Sequence, residues 1–490
     1  MRRSLLLLRS MTMNFAMIIY VLGWLLIFDG IFMTVPLMTA FVCREDAAAA
    51  FLLTMAVCLL PGMLIVSKKP RDKTLYARDG YVIVALSWIV MSLFGALPFV
   101  ISGVLPSYAD ALFETVSGFT TTGATVIKDV EALPRSIIMW RSFTHWVGGM
   151  GVLVFLMAFI PLSGGQNMHI MKAESTGPSV NKLMPGVKTT ALVLYTLYLL
   201  LTLVEFVMLL FGGMSVFEAV NTAFSTAGTG GFGFRNDSFA SFSPYCQYVV
   251  AAFMLMFSIS FSSYHFIIKR RFKAAFTLEV KVFLAVVIGV TAMITLNVRD
   301  MFPTLEECFR NVLFTVSSVI STTGFVTADF DLWPSFSKVL LVTIMFIGAC
   351  AGSTGGGMKV SRIIIMVKGI GKELRQMVHP RQIRRITMDG TQVSHEVVRA
   401  VNVYMVSFVL VFVISLLLIV LLDETGLVTG FTAVAATINN IGPGLEAVGP
   451  TCNFAFFSMP SKLVLIFDMI AGRLELFPML VLIHPATWKK

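Results

Sequence analysis

Four short stretches of the chain combine threonine, serine or asparagine with glycine, a pairing suited to replacing the water around a cation. They contain residues 121–123, 229–231, 322–324 and 440–442. Each follows an apolar turn, and they recur at intervals of roughly 100 residues, which indicates an internal repeat. A single Thr-Gly pair is common at ordinary turns, but four pairs in phase are not.

Backbone carbonyl oxygens arranged in a ring can replace the hydration shell of an ion without placing a full negative charge in a membrane. Glycine permits backbone angles that a side chain would block elsewhere, and small hydroxyls can support the strand or add oxygen ligands. None of the four stretches contains a charged residue, whereas an anion site would require Arg or Lys rings or helix N-termini. We therefore predict a cation filter formed by Thr121, Thr122, Gly123, Thr229, Gly230, Gly231, Thr322, Thr323, Gly324, Asn440, Ile441 and Gly442.

The second stretch does not identify its filter glycine, because Gly228, Gly230 and Gly231 lie close together. Gly231 precedes an aromatic residue, as Gly324 does in the third stretch. Gly228 instead ends a Phe-Ser-Thr-Ala-Gly segment that is similar to the first stretch. The residues alone leave the choice among these three glycines open.

The composition, 57% apolar and 13% charged residues, excludes an ordinary soluble protein. Apolar runs of about 20 residues, the length that crosses a bilayer, predict membrane helices near 15–42, 47–67, 80–102, 136–161, 188–212, 244–268, 276–298, 335–367, 396–422 and 461–484. Lysine and arginine cluster in alternate loops, which places both termini in the cytoplasm by the positive-inside rule. The net charge of +10 is therefore a topology signal and does not indicate nucleic acid binding.

Irregular backbone at membrane depth is tolerated only where protein buries it or water reaches it, so the four stretches imply one shared aqueous axis. We predict an all-α polytopic membrane protein with four tandem helix–pore loop–helix units in pseudo-fourfold arrangement plus two N-terminal transmembrane helices. The two helices occupy residues 1–78, and the units occupy 79–175, 176–272, 273–390 and 391–490. The sequence shows no nucleophile–base pair, metal-ligand spacing or organic cofactor motif, so we do not expect an enzyme.

A glycine-rich run, Gly348-Ala-Cys-Ala-Gly-Ser-Thr-Gly-Gly-Gly357, interrupts the eighth apolar segment. Each interior glycine costs a helix about 1 kcal/mol relative to alanine, so we expect the run to break the helix below the third filter stretch. The alternative is a close-packing or merely flexible stretch. The run is not a phosphate-binding loop, because the adjacent Gly-Lys-Ser/Thr is missing.

Arg473 lies inside the last apolar segment, where a charge is costly unless it faces water or a partner. We expect it to face the pore, where it would repel a passing cation and could tether the glycine-rich run through carbonyl hydrogen bonds. The alternative is an ion pair with Asp468 or Glu475. Two other intramembrane acids, Asp29 and Glu205, are expected to be packing partners rather than ion ligands.

The chain resembles the membrane subunits of the Trk/Ktr/HKT potassium transporters over essentially its whole length. The motifs that carry the resemblance are Phe119-Thr-Thr-Thr-Gly-Ala-Thr-Val126, Trp140-Arg141, Trp146-Val-Gly-Gly-Met-Gly151, Lys172-Ala-Glu-Ser-Thr-Gly-Pro178, Thr322-Thr-Gly-Phe-Val-Thr-Ala-Asp-Phe330, Gly348 to Gly357, Asn440-Ile-Gly-Pro-Gly444 and Gly472-Arg-Leu-Glu475. The two additional N-terminal helices favour the Trk branch.

The resemblance implies a K⁺-selective pore in the bacterial cytoplasmic membrane, with K⁺ as the transported ion. It also implies one filter glycine per repeat, at Gly123, Gly324 and Gly442 and at either Gly230 or Gly231 in the second stretch. It further implies a homodimer and a cytosolic nucleotide-binding regulatory ring of the TrkA type. In this family the intramembrane loop that corresponds to Gly352, Ser353, Thr354, Gly355, Gly356 and Gly357 closes the pore, together with Arg473. The basic segment 368–399 could bind the regulator, although a solvated loop or contact with anionic lipid is an equal alternative.

Two other functions remain open from the sequence. Symport of potassium with Na⁺ or H⁺ is one, although common symporters carry inverted repeats and these four units share one direction. A less selective monovalent cation channel is the other, because the four filter stretches differ from one another. In the family a serine at the first filter glycine marks Na⁺-passing relatives, and Gly123 argues against that here.

Overall fold

The computed structural model describes residues 13–151, 187–381 and 385–489. Its elements, in chain order, are α1 Phe15–Phe32, α2 Thr34–Cys43, α3 Ala48–Ser67, α4 Ala77–Gly95, α5 Leu97–Ile101, α6 Tyr108–Phe119, α7 Arg135–Gly149, α8 Val187–Phe211, α9 Val216–Gly228, α10 Pro244–Ser258, α11 Phe261–Ile268, α12 Phe272–Ala275, α13 Leu278–Val298, α14 Leu305–Ile320, α15 Ser335–Ile347, α16 Val360–Val378, β1 Thr387–Met388, β2 Thr391–Gln392, α17 His395–Asp423, α18 Leu427–Ile438, α19 Met459–Arg473, α20 Phe477–Ile483 and α21 Pro485–Trp488.

Six long apolar helical spans match six of the predicted membrane helices, which are thereby confirmed. They are Phe15–Cys43, Ala48–Ser67, Ala77–Ile101, Ala191–Phe211, Leu278–Met301 and His395–Asp423. Many of their apolar side chains are exposed, as expected for helices whose outer faces contact lipid. Together with the short helices between them, these spans make the chain a polytopic α-helical membrane protein.

The four units repeat one order of elements. In each, an outer helix (α4, α8, α13 or α17) is followed by a short helix (α6, α9, α14 or α18), which we name the pore helix. An irregular strand, named filter strand 1 to 4, follows each pore helix and leads through a loop to a second helix (α7, α10, α15 or α19). The two N-terminal spans lie outside this repeat, as predicted.

Local sequence explains where the first three pore helices begin. Ser107, Ser215 and Thr304 cap them, and each side chain accepts a hydrogen bond from the backbone N–H three residues on. Acidic residues occupy the first turn in all three, where they favour the positive end of the helix dipole. The opposite, partly negative ends lead directly into the filter strands.

The second helix is interrupted in the second, third and fourth units, and the sequence indicated this only for the third unit. The predicted span 244–268 is wrong as a single straight helix, because α10 and α11 meet at an angle of 94°. The predicted span 461–484 is also divided, since Glu475 and Leu476 adopt positive φ angles between α19 and α20. In the third unit the expected break separates α15 from α16 and is confirmed.

In the first unit α7 ends at Gly149, and the predicted span 136–161 continues into residues that the structure does not describe. The motif at residues 172–178 also lies outside the described residues.

The backbone groups freed at the bend between α10 and α11 form hydrogen bonds with another segment. The Ser258 carbonyl accepts a hydrogen bond from Cys350 N at 3.0 Å, and Phe261 N donates to the Gly352 carbonyl at 3.0 Å. The backbone groups at the breaks of the second and third units therefore hydrogen bond to one another.

Close packing at Gly148 offers a test of this arrangement. A Cβ atom there would lie less than 3.0 Å from the carbonyl oxygen of Phe119, at the end of the first pore helix. Backbone cannot move away as a flexible side chain can, so we expect Gly148→Ala to destabilise the protein by about 1–3 kcal/mol. Thermal unfolding in detergent, followed by size-exclusion chromatography, measures the shift.

Gly289→Ala is the matched control, because Gly289 lies inside α13 and a Cβ there would meet nothing within 4 Å. Alanine is the better helix former by about 0.5–1 kcal/mol, so this variant is expected to be as stable as the parent or slightly more stable. An unfolding midpoint for Gly148→Ala equal to that of Gly289→Ala would contradict the packing.

Candidate functional site

The four filter strands share one backbone conformation. In each, a residue with positive φ is followed two positions later by a glycine with positive φ. The pairs are Thr121 (φ 55°) with Gly123 (79°), Thr229 (55°) with Gly231 (76°), Thr322 (60°) with Gly324 (90°) and Asn440 (56°) with Gly442 (97°). Non-glycine residues seldom adopt such angles, so the recurrence in four places marks one repeated structure.

This alignment assigns the glycines of filter strand 2. Gly231 occupies the position of Gly123, Gly324 and Gly442, whereas Gly230 occupies the position of Thr122 in filter strand 1. Gly228 is the last residue of α9. The sequence left the choice open because three glycines lie within four positions, and backbone angles separate them.

The filter strands form a closed ring in which each glycine faces the carbonyl oxygen of a neighbouring strand. A Cβ at Gly123 would lie less than 3.0 Å from the Gly230 oxygen, and a Cβ at Gly231 equally close to the Thr323 oxygen. The same relation links Gly324 to Ile441 and Gly442 to Thr122, so the fourth strand returns to the first. The four predicted stretches therefore surround one axis.

All four glycines also line one cavity of about 190 Å³ on the loop side of the ring. Its walls come from the loops that follow the filter strands in all four units, with Ala124, Phe232, Val326 and Pro443 among them. A cavity shared by four units, with the glycines at its base, is the geometry that a common ion pathway requires.

Side chains behind the ring tie the strands to one another. The Thr122 hydroxyl lies 2.8 Å from that of Thr120, and the Thr323 hydroxyl lies 2.6 Å from that of Ser321. Asn440 donates its amide both to Thr122 Oγ1 at 3.0 Å and to the Met469 carbonyl at 2.9 Å. The hydroxyls of Thr122 and Thr323 are therefore supports, and Asn440 joins the fourth strand to the first and to α19.

An ion pair buried beside the ring was not assigned a role from the sequence. Glu114 of the first pore helix accepts a hydrogen bond from Arg141 Nε of α7 at 2.8 Å, and both side chains are almost fully buried. Glu114 also accepts from Thr125 Oγ1 and from Val126 N, each at 3.0 Å. A charge in the interior of each of two membrane-embedded helices was the signal that could have revealed this pair.

Arg141 extends the contact to the second unit. Its Nη1 donates to the Gly233 carbonyl at 3.1 Å, and its guanidinium lies 4.1 Å from the centre of the Phe232 ring. Since both residues directly follow filter strand 2, one buried ion pair positions the outer ends of two strands.

The outer loops of the first two units interlock above the cavity. Asn236 donates its amide to Asp129 at 2.8 Å and accepts from Val130 N at 2.9 Å. The hydrogen bond from Asn236 holds the pKa of the Asp129 carboxyl below its usual value. Lys128 and Arg235 are the charged residues that join Arg141 in the cavity lining.

The glycine-rich segment, residues 348–357, lies directly beneath the filter strands of units 3 and 4. Gly356 N donates to Thr322 Oγ1 at 2.6 Å, and Gly357 N donates to the Asn439 carbonyl at 3.1 Å. A Cβ at Gly355 would meet the Ser321 carbonyl within 3.0 Å. The segment is therefore fitted against the ring by backbone contacts, and its glycines permit that approach.

Arg473 reaches this segment from α19. Its guanidinium donates to the Thr354 carbonyl at 2.7 Å and to the carbonyls of Gly148 and Gly149 at 2.6 and 2.8 Å. One side chain from unit 4 thus joins units 1 and 3 below the ring. The two carboxylates considered as partners have other contacts, because Glu475 pairs with Arg362, and Asp468 accepts from Ser415 at 2.7 Å.

Glu279, at the start of α13, is a further contact of the segment that the sequence did not suggest. Its Oε1 accepts hydrogen bonds from Ala351 N at 2.8 Å and from Ser361 N at 3.1 Å. Lys359 donates to the Gly355 carbonyl. Glu279 therefore links Ala351 of the segment to Ser361 at the start of α16, and Arg473 holds the segment at Thr354.

The two other intramembrane acids belong to long apolar helices and to no filter strand. Asp29 in α1 and Glu205 in α8 are fully buried. Groups of three or more His, Cys, Asp or Glu side chains that could hold a metal ion are absent from the part of the chain that the structure describes. Among the described residues, the lining of the cavity includes Thr125, Asn236 and Ser238 and no carboxylate.

A repeated pore helix, a closed ring of uncharged carbonyls and an outer cavity on one axis define a membrane protein of the cation-transport class. The sequence matches the TrkH family, described as cation transport protein, over residues 47–490. That match covers most of the chain, which belongs to the TrkH family.

Individual relatives agree over the full length. The Trk system potassium uptake protein TrkH of Salmonella typhimurium is 36% identical, covering 98% of this chain and 100% of the relative. TrkG of Escherichia coli K12, also a Trk system potassium uptake protein, is 32% identical, covering 98% of this chain and 99% of the relative. The crystal structure of the potassium transporter TrkH from Vibrio parahaemolyticus superposes with a TM-score of 0.88 at 33% identity, covering 97% of this chain and all of that one. The family is one of transporters and not of enzymes.

The contribution of the buried ion pair between Glu114 and Arg141 to stability can be tested by substitution. Glu114→Gln leaves the Arg141 charge buried without its partner, and such a loss costs about 3–5 kcal/mol. We expect a large fall in the yield of monodisperse protein and a lowered unfolding midpoint in detergent.

Glu306→Gln is the control for that variant. Glu306 pairs with Arg310 at 3.0 Å, but its side chain is 57% exposed, and exposed pairs contribute about 0–1 kcal/mol. Equal effects of the two substitutions on the midpoint would show that the buried pair does not hold the filter region together.

Proposed function

We propose that the protein takes up potassium across the bacterial cytoplasmic membrane through a K⁺-selective pore along the axis of the ring. The observation that carries this proposal is the closed succession of glycines and carbonyls from Gly123 through Gly231 and Gly324 to Gly442, beneath one cavity. Full-length relatives named as potassium uptake proteins support the choice of ion.

The chemistry of the ring suits a monovalent cation. Carbonyl oxygens can replace its hydration water, and the four pore helices direct the negative ends of their dipoles at the ring. Without carboxylates in the filter strands, the field is weak enough for a singly charged ion to leave again. A divalent ion would lose far more hydration energy than such groups return.

We propose that residues 352–357 and Arg473 form the gate of this pore. The segment lies below the ring, and the positive charge of Arg473 opposes a cation that has passed the filter. Opening requires the hydrogen bonds from Arg473 to Thr354, Gly148 and Gly149 to break or to rearrange. Movement of the segment would then unblock the cytoplasmic half of the path.

We further propose a homodimer and a cytosolic regulatory subunit of the TrkA type. The surface of helix α16 is suited to binding a protein partner. Four apolar side chains are exposed along it, those of Val367, Ile370, Leu374 and Met377. It continues directly from the glycine-rich segment through Lys359, so a partner bound to α16 could move the gate. The basic residues that follow α16 are accessible to the same partner.

The filter assignment is tested by Gly123→Ser. A serine Cβ would meet the Gly230 oxygen at a backbone angle that L side chains rarely adopt, so the ring must deform at this point. We expect the ratio of Rb⁺ to Na⁺ uptake in proteoliposomes to fall by roughly tenfold, equivalent to about 1.4 kcal/mol of discrimination.

Gly103→Ser is the control, because Gly103 has a similar φ of 76° but nothing within 4 Å of a Cβ. It tests backbone strain without contact to the ring and is expected to keep the parental ratio. Unchanged Rb⁺/Na⁺ ratios in Gly123→Ser would count against the filter. Rb⁺ uptake that required a Na⁺ or H⁺ gradient would instead favour coupled symport.

The gate is tested by Arg473→Ala, which removes both the positive charge and the hydrogen bonds to Thr354, Gly148 and Gly149. We expect higher Rb⁺ flux in the absence of any regulatory subunit. Arg473→Lys keeps the charge but cannot bridge the same carbonyls as a planar guanidinium does. Its Rb⁺ flux is therefore expected to lie between that of the parent and that of Arg473→Ala. Loss of folded protein in Arg473→Ala, with parental flux in Arg473→Lys, would indicate a structural role alone.

A further inference from the structure

Filter strand 2 lacks a side chain that the other three strands possess. At the position before the filter glycine, strands 1, 3 and 4 carry Thr122, Thr323 and Ile441, all fully buried. The two threonines make hydroxyl contacts behind the ring. Strand 2 has Gly230 there, although the Gly230 carbonyl faces Gly123 in the ring as its counterparts face their neighbours.

The imidazole of His145, from helix α7, occupies the space behind Gly230. A Cβ at Gly230 would lie less than 3.0 Å from three of its ring atoms, Nδ1, Cγ and Cε1. A Cβ at Gly228 would similarly meet the backbone carbonyl of His145. The histidine therefore fills the volume that a threonine or isoleucine side chain fills in the other strands.

His145 is itself held firmly in place. It is fully buried, and its ring stacks on that of Phe232 with centroids 4.2 Å apart and an interplanar angle of 19°. Neither ring nitrogen has a hydrogen-bond partner among the described residues, so stacking and close packing hold the imidazole. Phe232 is contacted in turn by Arg141, so the imidazole is part of the structure that positions the outer end of strand 2.

We propose that His145 is a specificity-determining positioning residue, whose imidazole replaces the missing side chain of filter strand 2 and sets the place of the Gly230 carbonyl in the ring. This inference rests on the proposed function as a potassium pore. Glycine has more backbone freedom than any other residue. Without the imidazole behind it, Gly230 would therefore relax into the space that the imidazole occupies. The spacing of the carbonyls, and with it the discrimination between K⁺ and Na⁺, would then change.

The test compares His145→Ala, Gly230→Ala and the variant that carries both substitutions, as full-length protein in proteoliposomes, with Rb⁺ and Na⁺ as the measured ions. We expect His145→Ala to lower the Rb⁺/Na⁺ uptake ratio by about fivefold, which corresponds to about 1 kcal/mol. Gly230→Ala lowers it as well, because its methyl group collides with the imidazole. The double variant recovers the ratio to within about twofold of the parent, since each change makes room for the other.

Two further variants distinguish the loss of support behind Gly230 from a general destabilisation of the protein. His145→Leu keeps most of the side-chain volume and is expected to retain the ratio within about twofold, as volume-conserving substitutions usually do. His265→Ala, in α11, removes a histidine outside the ring contacts and leaves the ratio unchanged. If His145→Ala does not yield monodisperse protein, two other comparisons of the Rb⁺/Na⁺ ratio test the inference. They are Gly230→Ala against the double variant, and His145→Leu against the parent.

A double variant no closer to the parent than Gly230→Ala overturns the inference, as does a parental ratio in a well-folded His145→Ala. A fall in His145→Leu as large as in His145→Ala also overturns it, because the proposed support depends on volume. Failure of the parent itself to prefer Rb⁺ over Na⁺ would overturn the proposed function instead, and the two failures are therefore distinguishable.

Discussion

Backbone carbonyls that bond to no other backbone group cannot remain at membrane depth unless protein or water surrounds them, and the structure is organised around four strands of such carbonyls. Each strand follows a buried pore helix and places its glycine against a carbonyl of the next strand, until the fourth meets the first. No strand has this environment alone. The ring is therefore a property of all four units together, and the outer helices hold the units at the required distance.

Charged side chains are few within the helices, and three of the buried ones, Glu114, Arg141 and Arg473, connect elements far apart in sequence. Glu114 and Arg141 join the ends of filter strands 1 and 2, whereas Arg473 joins three units below the ring. Burying a charge is costly unless it is paired or hydrogen bonded. These contacts therefore favour one arrangement of the units over others that would leave the same charges without partners.

Much of the fold was predictable because membrane helices and repeats leave strong signals in one dimension. Six long apolar spans were recognised from apolar length alone, and the Thr-Gly spacing revealed four units. The bend after Ser258 and the break at Glu475 were missed, since neither is marked by a run of glycines. The bend after Ser258 forms because the Ser258 carbonyl accepts a hydrogen bond from the distant Cys350 N. At the other break, the Glu475 side chain pairs with Arg362 of α16.

The sequence by itself determined that the chain crosses the membrane many times, that four similar units follow one another, and that their filter strands carry no charge. Only the tertiary structure decided that Gly231 is the counterpart of Gly123, that Arg473 contacts Thr354, and that His145 lies behind Gly230. The reason is physical: hydrophobicity and glycine content act locally, whereas a ring closes through contacts between residues about a hundred or more positions apart, whose geometry depends on all units at once.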